Sequence, residues 1–172
     1  MTATCALAGL LLLAAPAGAT APRLDLPVPL IQASRERCGQ AAFAMVMRYW
    51  GADSAAIHEA DQAYDPALRG SLVTDLAAAA RRAGFEATVA QLEPDSLVAL
   101  VAAGVPPIVL YQNGRTPLTV PHYGVVRGWD PGRRTFLVND GGAKPRSMAR
   151  DDLAKRWRTA GSQALIVRRT AP

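Results

Sequence analysis

The chain has 172 residues; half of them are apolar, 19% are charged, and the formal net charge is +5. This composition suits a single folded domain with a full core, and it excludes a disordered or low-complexity chain. The basic residues are scattered and only 6% of residues are aromatic, so the charge does not predict nucleic-acid binding, although it favours anionic surfaces of the cell envelope.

The N-terminal residues have the pattern of a cleaved secretory signal. No charged side chain occurs in residues 1–19, and an apolar run from Leu7 to Ala15 precedes a stretch of small residues. The run is too short to span a bilayer, and Cys5 precedes it, which does not favour lipidation. We therefore predict a signal peptide at 1–19 and an exported domain at 20–172, periplasmic or secreted, with no transmembrane span in the mature form.

Helical patterns dominate the first half of this domain, and glycines mark several of the helix ends. Thr74 is expected to be an N-cap. The predicted elements are an extended segment at Pro27–Ile31, helices at Gly39–Trp50, Ser54–Tyr64, Asp75–Ala83 and Asp95–Ala103, and a strand at Phe85–Ala90.

Strand patterns dominate the second half, with a strong turn signal at residues 130–132. The predicted elements are strands at Ile108–Tyr111, His122–Gly128, Thr135–Asn139 and Ala164–Val167, and a helix at Arg150–Arg158. Helices followed by an antiparallel sheet predict an α+β fold with two facing lobes.

Cys38 is the one cysteine outside the predicted signal, so it has no intramolecular disulfide partner in the mature domain. It begins the predicted buried helix, where the helix dipole favours a thiolate. Gly39 is expected to leave room for a substrate backbone. His122 starts a strand and Asp140 follows the next one, an order that suits a nucleophile with its base and an orienting carboxylate.

Three segments resemble the double-glycine leader peptidases, which are bacteriocin-processing cysteine peptidases of the papain-like superfamily. Residues 32–42 have a Gln six residues before Cys-Gly, followed by small residues. Residues 122–126 resemble the family's His and its Val-rich strand, and residues 137–141 resemble the strand that ends in the triad Asp. The resemblance covers roughly residues 27–168.

The resemblance implies a papain-like fold, with the Cys helix in an N-terminal helical lobe and the His and Asp on a C-terminal antiparallel sheet. It implies that Cys38 attacks the scissile carbonyl, His122 acts as base and acid, Asp140 orients His122, and Gln32 donates to the oxyanion. No metal or organic cofactor is implied. The expected partner is a peptide or protein substrate in the envelope, and we expect a monomer.

The sequence also departs from the family pattern and leaves alternatives open. Gly141 stands where the family usually has Pro, and Asn139 is a second candidate for the residue that orients His122. Family members are commonly fused to a transporter and act in the cytoplasm, so their double-glycine specificity is not carried over to this chain. The same triad also suits an acyltransferase, and a non-catalytic peptide-binding domain is the other alternative. His58, the second histidine, is interpreted as a surface helix residue.

Overall fold

The computed structural model describes residues 22–115 and 117–170, and the predicted signal peptide lies outside these residues. The strands are β1 (Leu24–Asp25), β2 (Phe85–Gln91), β3 (Ile108–Arg115), β4 (Leu118–Asp130), β5 (Thr135–Asn139), β6 (Arg146–Ala149) and β7 (Gln163–Arg169). The α-helices are α1 (Cys38–Tyr49), α2 (Ser54–His58), α3 (Val73–Arg82), α4 (Pro94–Ala102) and α5 (Arg150–Thr159).

One antiparallel sheet runs through the molecule in the order β2-β7-β3-β4-β5-β6, and β1 pairs with β4. The long strand β4 is its centre, because it pairs with β3 along residues 118–125 and with β5 only from Val125 onward. One edge of β4 is therefore unpaired with β5 over residues 118–124, and His122 lies in this part of the strand.

Helices cover both faces of the sheet, which confirms the predicted α+β fold. Neighbouring residues such as Val125 and Val126 contribute to two different apolar clusters, because successive strand residues point to opposite faces. One cluster lies between the sheet and the helices α1 and α3, and the other lies between the sheet and the helices α4 and α5. Together the two clusters fix β4 from both sides.

The buried helix α1 forms where the sequence predicts it. Its side chains are apolar almost all round, and those of Phe43 and Met45 are completely buried. Gly51, with φ of +74°, ends the helix, because the N–H of Ala52 bonds to the carbonyl of Met47 in a Schellman arrangement. The glycine therefore determines where α1 ends.

Two details of the predicted helices are wrong. The helix expected over Ser54–Tyr64 changes at Glu59–Ala63 into a 3-10 helix, a common tightening near a helix end. Thr74 is not an N-cap, because α3 begins at Val73, whose burial anchors the first turn.

No helix in the described part of the chain combines the length and apolar character that crossing a membrane requires.

The predicted strand Thr135–Asn139 coincides with β5, whereas the other four predicted strands are shorter than those in the structure. β3 and β4 continue as a hairpin to a pairing of Arg115 with Leu118. The extension contains Pro121, which lacks an N–H for sheet pairing and so conceals strand character in the sequence. The two short strands β1 and β6 were not predicted, since two to four residues carry too little periodicity.

We expect the substitution Leu76→Ala on α3 to lower the free energy of unfolding by about 2–5 kcal/mol, because Leu76 is completely buried against α1. The matched control is Leu118→Ala, since Leu118 is 84% exposed and its loss should change stability by less than about 0.5 kcal/mol. Urea unfolding followed by circular dichroism measures both values. Equal effects of the two substitutions would contradict this description of the core.

Candidate active site

Cys38 is the first residue of α1 and directly follows a 3-10 helix at Arg35–Arg37. The residue is 8% exposed and lines a cleft. The unpaired N–H groups and the dipole of a helix N-terminus favour negative charge at this position. Local chain geometry therefore favours a thiolate here.

The thiol and the imidazole of His122 interact, and the interaction favours their ionised forms. Burial raises the pKa of the Cys38 thiol, but the hydrogen-bonding interaction with His122 opposes burial. Hydrogen bonding to the backbone of Tyr123 and of Gly39 acts in the same direction, and on balance the pKa of Cys38 is lowered. The Cys38 thiol therefore ionises at a lower pH than an ordinary thiol does.

The pKa of the His122 imidazole moves the other way. Burial lowers this pKa, while the interaction with Cys38, followed by that with Asp140, raises it, and the net shift is upward. The interaction therefore stabilises the thiolate and the imidazolium together, because each charged form favours the other. Cysteine nucleophiles are activated in this way.

The main chain of Asp140, immediately after β5, contacts the imidazole. His122 Nε2 lies 2.8 Å from the carbonyl oxygen of Asp140. This contact leaves Nδ1 for the thiol; Nδ1 is buried and forms no hydrogen bond of regular geometry with another described residue. The acceptor of the imidazole N–H is thus a backbone carbonyl.

The carboxylate of Asp140 is held by other groups. Its Oδ2 accepts from Arg146 Nη1 at 3.0 Å and from the Tyr111 hydroxyl at 3.4 Å. Its Oδ1 accepts from the backbone N–H of Gly142 at 3.3 Å. The structure thus brings together Cys38, His122 and Asp140, with the carboxylate turned to Arg146 and Tyr111.

Asn139, the alternative orienting residue, faces a different part of the molecule. Its side-chain Nδ2 donates to the carbonyl of Val28 at 3.1 Å, and the residue is completely buried. The amide therefore anchors the segment that precedes the Cys38 helix. It forms no hydrogen bond with His122 in the described part of the chain.

Tyr111 contacts both members of the His122–Asp140 pair. It lies directly opposite His122 in the register of β3 and β4, and the two rings meet edge to face with centroids 5.7 Å apart. Gly124 makes space for the Tyr111 ring, because a Cβ there would lie 3.2 Å from Tyr111 Cε1 and 2.8 Å from Val138 Cγ1. Tyr111 therefore packs against the imidazole and also donates to the carboxylate of Asp140.

Gln32 is the one predicted site residue without a contact to the others. It is exposed, and its side chain forms no hydrogen bond among the described residues. The segment that carries it is anchored, since the N–H of Ala33 donates to the carbonyl of Gly141 at 3.1 Å. Gln32 is thus tied through the backbone to the loop that holds Asp140.

Gly39 does not have the role expected from the sequence. It is buried, and a Cβ there would lie 3.3 Å from Leu76 Cδ1 and from Tyr123 Cδ2. The missing side chain lets α1 approach α3 and β4 closely, and it does not open space for a substrate.

The cleft beside Cys38 has a volume of about 840 Å³ and a mainly apolar wall. Leu68 and Leu72, which are 57% and 52% exposed, form part of this wall. Glu36 and Arg69 form an ion pair at its rim. The cleft therefore offers apolar contacts with charged groups along one side.

No cluster of three metal-ligating side chains occurs within residues 22–115 and 117–170. His58 is exposed and its Nδ1 contacts the carbonyl of Ser54 at 2.6 Å, in keeping with its interpretation as a surface residue. The sequence prediction missed Tyr111 and Arg146. The register of the β3–β4 hairpin would have identified Tyr111, whereas no sequence signal marks Arg146.

The family model of the Peptidase C39 family matches residues 28–170. No curated protein matches the chain significantly.

Several solved structures share the fold. The peptidase domain of Streptococcus ComA, a bifunctional ABC transporter in a quorum-sensing pathway, has a TM-score of 0.66 and 20% identity, covering 82% of this chain and 97% of that one. A C39-like peptidase from Bacillus anthracis has a TM-score of 0.70 and 16% identity, covering 88% and 100%. A double-glycine motif protease from an AMS/PCAT transporter, solved with the leader peptide, has a TM-score of 0.65 and 21% identity, covering 85% and 94%.

The lowered pKa of Cys38 predicts that iodoacetamide alkylates this thiol at a lower pH than an ordinary thiol, and that His122→Ala moves the inflection up toward the ordinary thiol value of about 8.5. Removing the imidazolium removes the charge that stabilises the thiolate. Mass spectrometry with peptide mapping follows the label at Cys38 across pH. The control His58→Ala should leave the profile unchanged, and an unshifted profile in the His122 variant would contradict the pairing.

Proposed function

We propose that this chain, which belongs to the Peptidase C39 family and is a cysteine-type peptidase, is exported and hydrolyses peptide bonds with a Cys38–His122–Asp140 triad. One observation carries the assignment of the triad. The thiol at the start of α1 interacts with an imidazole whose other nitrogen is held by the Asp140 carbonyl. This arrangement supports an ion-paired nucleophile at the edge of an open cleft.

The proposed reaction has two halves. The Cys38 thiolate attacks the scissile carbonyl carbon, a C–S bond forms, and the His122 imidazolium protonates the amine as the C–N bond breaks. A water molecule then gives its proton to His122 and attacks the thioester, and the thiolate leaves as the carboxylic acid product forms. Asp140 keeps Nδ1 directed at the sulfur in both halves by holding Nε2.

The oxyanion of each tetrahedral intermediate is stabilised by hydrogen-bond donors. The N–H of Cys38 at the helix start is one, and we propose the side-chain amide of Gln32 as the other. Gln32 is exposed and forms no hydrogen bond with another described residue, so its amide is available to a substrate oxygen. The bond between Ala33 and Gly141 supports this role, because it limits where the amide can move.

The proposed substrate is a peptide or an extended segment of a protein, with apolar side chains near the scissile bond. Leu68, Leu72 and Val120 line the cleft next to Cys38 and suit such side chains. The structural relative from the AMS/PCAT transporter was solved with its leader peptide, which supports a peptide ligand for the shared fold. Residues 1–19 support export and hence a substrate in the cell envelope.

The direct test incubates the exported chain, recovered from the periplasm or medium of a bacterial host, with a peptide library. We expect cleavage next to apolar residues and a loss of kcat/KM of roughly 10⁴-fold or more in Cys38→Ala. An added amine separates the two enzyme classes, because an acyltransferase would convert the peptide to an amide in place of the acid. Cleavage that persists in Cys38→Ala would contradict the nucleophile, and recovery of the chain only in the cytoplasm would contradict export.

Gln32→Ala should lower kcat by about 10²–10³-fold, the usual effect of losing one oxyanion donor. Alkylation of Cys38 should stay unchanged in this variant, because alkylation forms no oxyanion. Steady-state kinetics and the alkylation profile together measure the two effects. The control is Gln91→Ala, an exposed glutamine on β2, and equal kinetics of the two variants would exclude Gln32 from the site.

A further inference from the structure

Arg146 on β6 is bound at two points beside the proposed triad. Its Nη1 donates to Asp140 Oδ2 at 3.0 Å and to Asn113 Oδ1 at 3.3 Å. The Asp140 side chain is 7% exposed, whereas that of Arg146 is 41% exposed. A nearly buried carboxylate is thus paired with an arginine that reaches it from the surface.

The carboxylate has no hydrogen bond with the imidazole in the described part of the chain. It is occupied on one oxygen by Arg146 and Tyr111 and on the other by the N–H of Gly142. The Nε2–H of His122 is received by the main-chain carbonyl of Asp140. The same residue therefore offers the imidazole two acceptors, and the structure uses the weaker, uncharged one.

We infer that Arg146 is a positioning residue that holds the Asp140 carboxylate away from His122, so that the imidazole is oriented by the main-chain carbonyl. This inference rests on the proposed function, since it assigns a role within the proposed triad. Arg146 acts through Asp140 and touches no reacting atom.

The expected chemical consequence concerns the strength of the base. A carboxylate that accepts directly from an imidazole stabilises the imidazolium strongly, whereas a carbonyl does so less. With Arg146 in place, the imidazolium releases its proton to the leaving amine more readily. Arg146 also adds a positive charge that favours the thiolate.

Charged and titratable groups face His122 from several elements, and each contributes to the pH dependence. They are Cys38 from α1, Tyr111 from β3, Asp140 after β5 and, behind Asp140, Arg146 from β6, which is also influenced by Asp152 on α5. Among these groups Arg146 is the only cation, so its removal leaves the negative charge of Asp140 unbalanced.

The test is the pH profile of Cys38 alkylation in the full exported chain with the substitution Arg146→Met. The profile should have a lower inflection from the Cys38 thiol and an upper inflection from the His122 imidazole. We expect both inflections to rise by roughly 0.5–1 pH unit, which is the effect of removing one partly screened positive charge. Arg146→Lys keeps the positive charge, so its two inflections should rise by no more than half as much as those of Arg146→Met. Arg150→Met is the matched control, because Arg150 pairs with the exposed Asp95 at 2.7 Å and should leave both inflections unchanged.

A double-mutant cycle with Asp140→Asn separates positioning from a remote charge effect. We expect Arg146→Met to move the upper inflection less in the Asp140→Asn background, because no carboxylate remains to turn toward the imidazole. Equal shifts in both backgrounds, or no shift in either, would overturn the inference. If Arg146→Met fails to fold, Arg146→Lys in the same cycle decides the question by whether its smaller shift depends on Asp140.

The wild-type profile distinguishes failure of the inference from failure of the proposed function. A wild-type thiol that titrates at its ordinary pKa would overturn both the triad and the role of Arg146. A lowered wild-type inflection with no response to Arg146→Met would overturn the role of Arg146 alone.

Discussion

The hydrogen bond between His122 Nε2 and the main-chain carbonyl of Asp140 is the contact on which the rest of the site depends. It fixes which ring nitrogen remains for Cys38, and hence how the thiol and the imidazole share a proton. The contact exists because β5 ends at Asn139, which leaves the next carbonyl free of sheet pairing. The Asp140 carbonyl can therefore accept from His122, whereas in a continuing strand it would be paired with a neighbouring strand.

The sheet explains why this contact forms beside a cleft. The strand β4 is paired with β3 over residues 118–125, but β5 covers its other side only from Val125 onward. His122 lies in the uncovered part, and Val120 and Pro121 of the same part line the cleft with Cys38. Helices packed on both faces hold the strand in place, so the opening is a fixed feature of the topology.

The sequence predicted those parts of the fold and the site that local signals determine. Gly51 marks the end of α1, and the segments around Cys38 and His122 resemble the active-site segments of a known peptidase family. Tyr111 and Arg146 could not be predicted, because their contacts depend on the register of a hairpin and on β6, a strand of four residues. The prediction of site residues was limited by the pairing of strands that are distant in the sequence, and not by the chemistry of the residues.

Gly141 connects the loop after β5 with the segment that precedes the Cys38 helix. Its φ of +80° is a left-handed conformation that suits glycine, and its carbonyl receives the N–H of Ala33. The peptide unit joining Asp140 to Gly141 carries the oxygen that orients the imidazole, and this oxygen is present whichever side chain stands at position 140. The path of the backbone through a glycine, which a comparison of side chains would overlook, therefore determines the hydrogen-bond partner of His122.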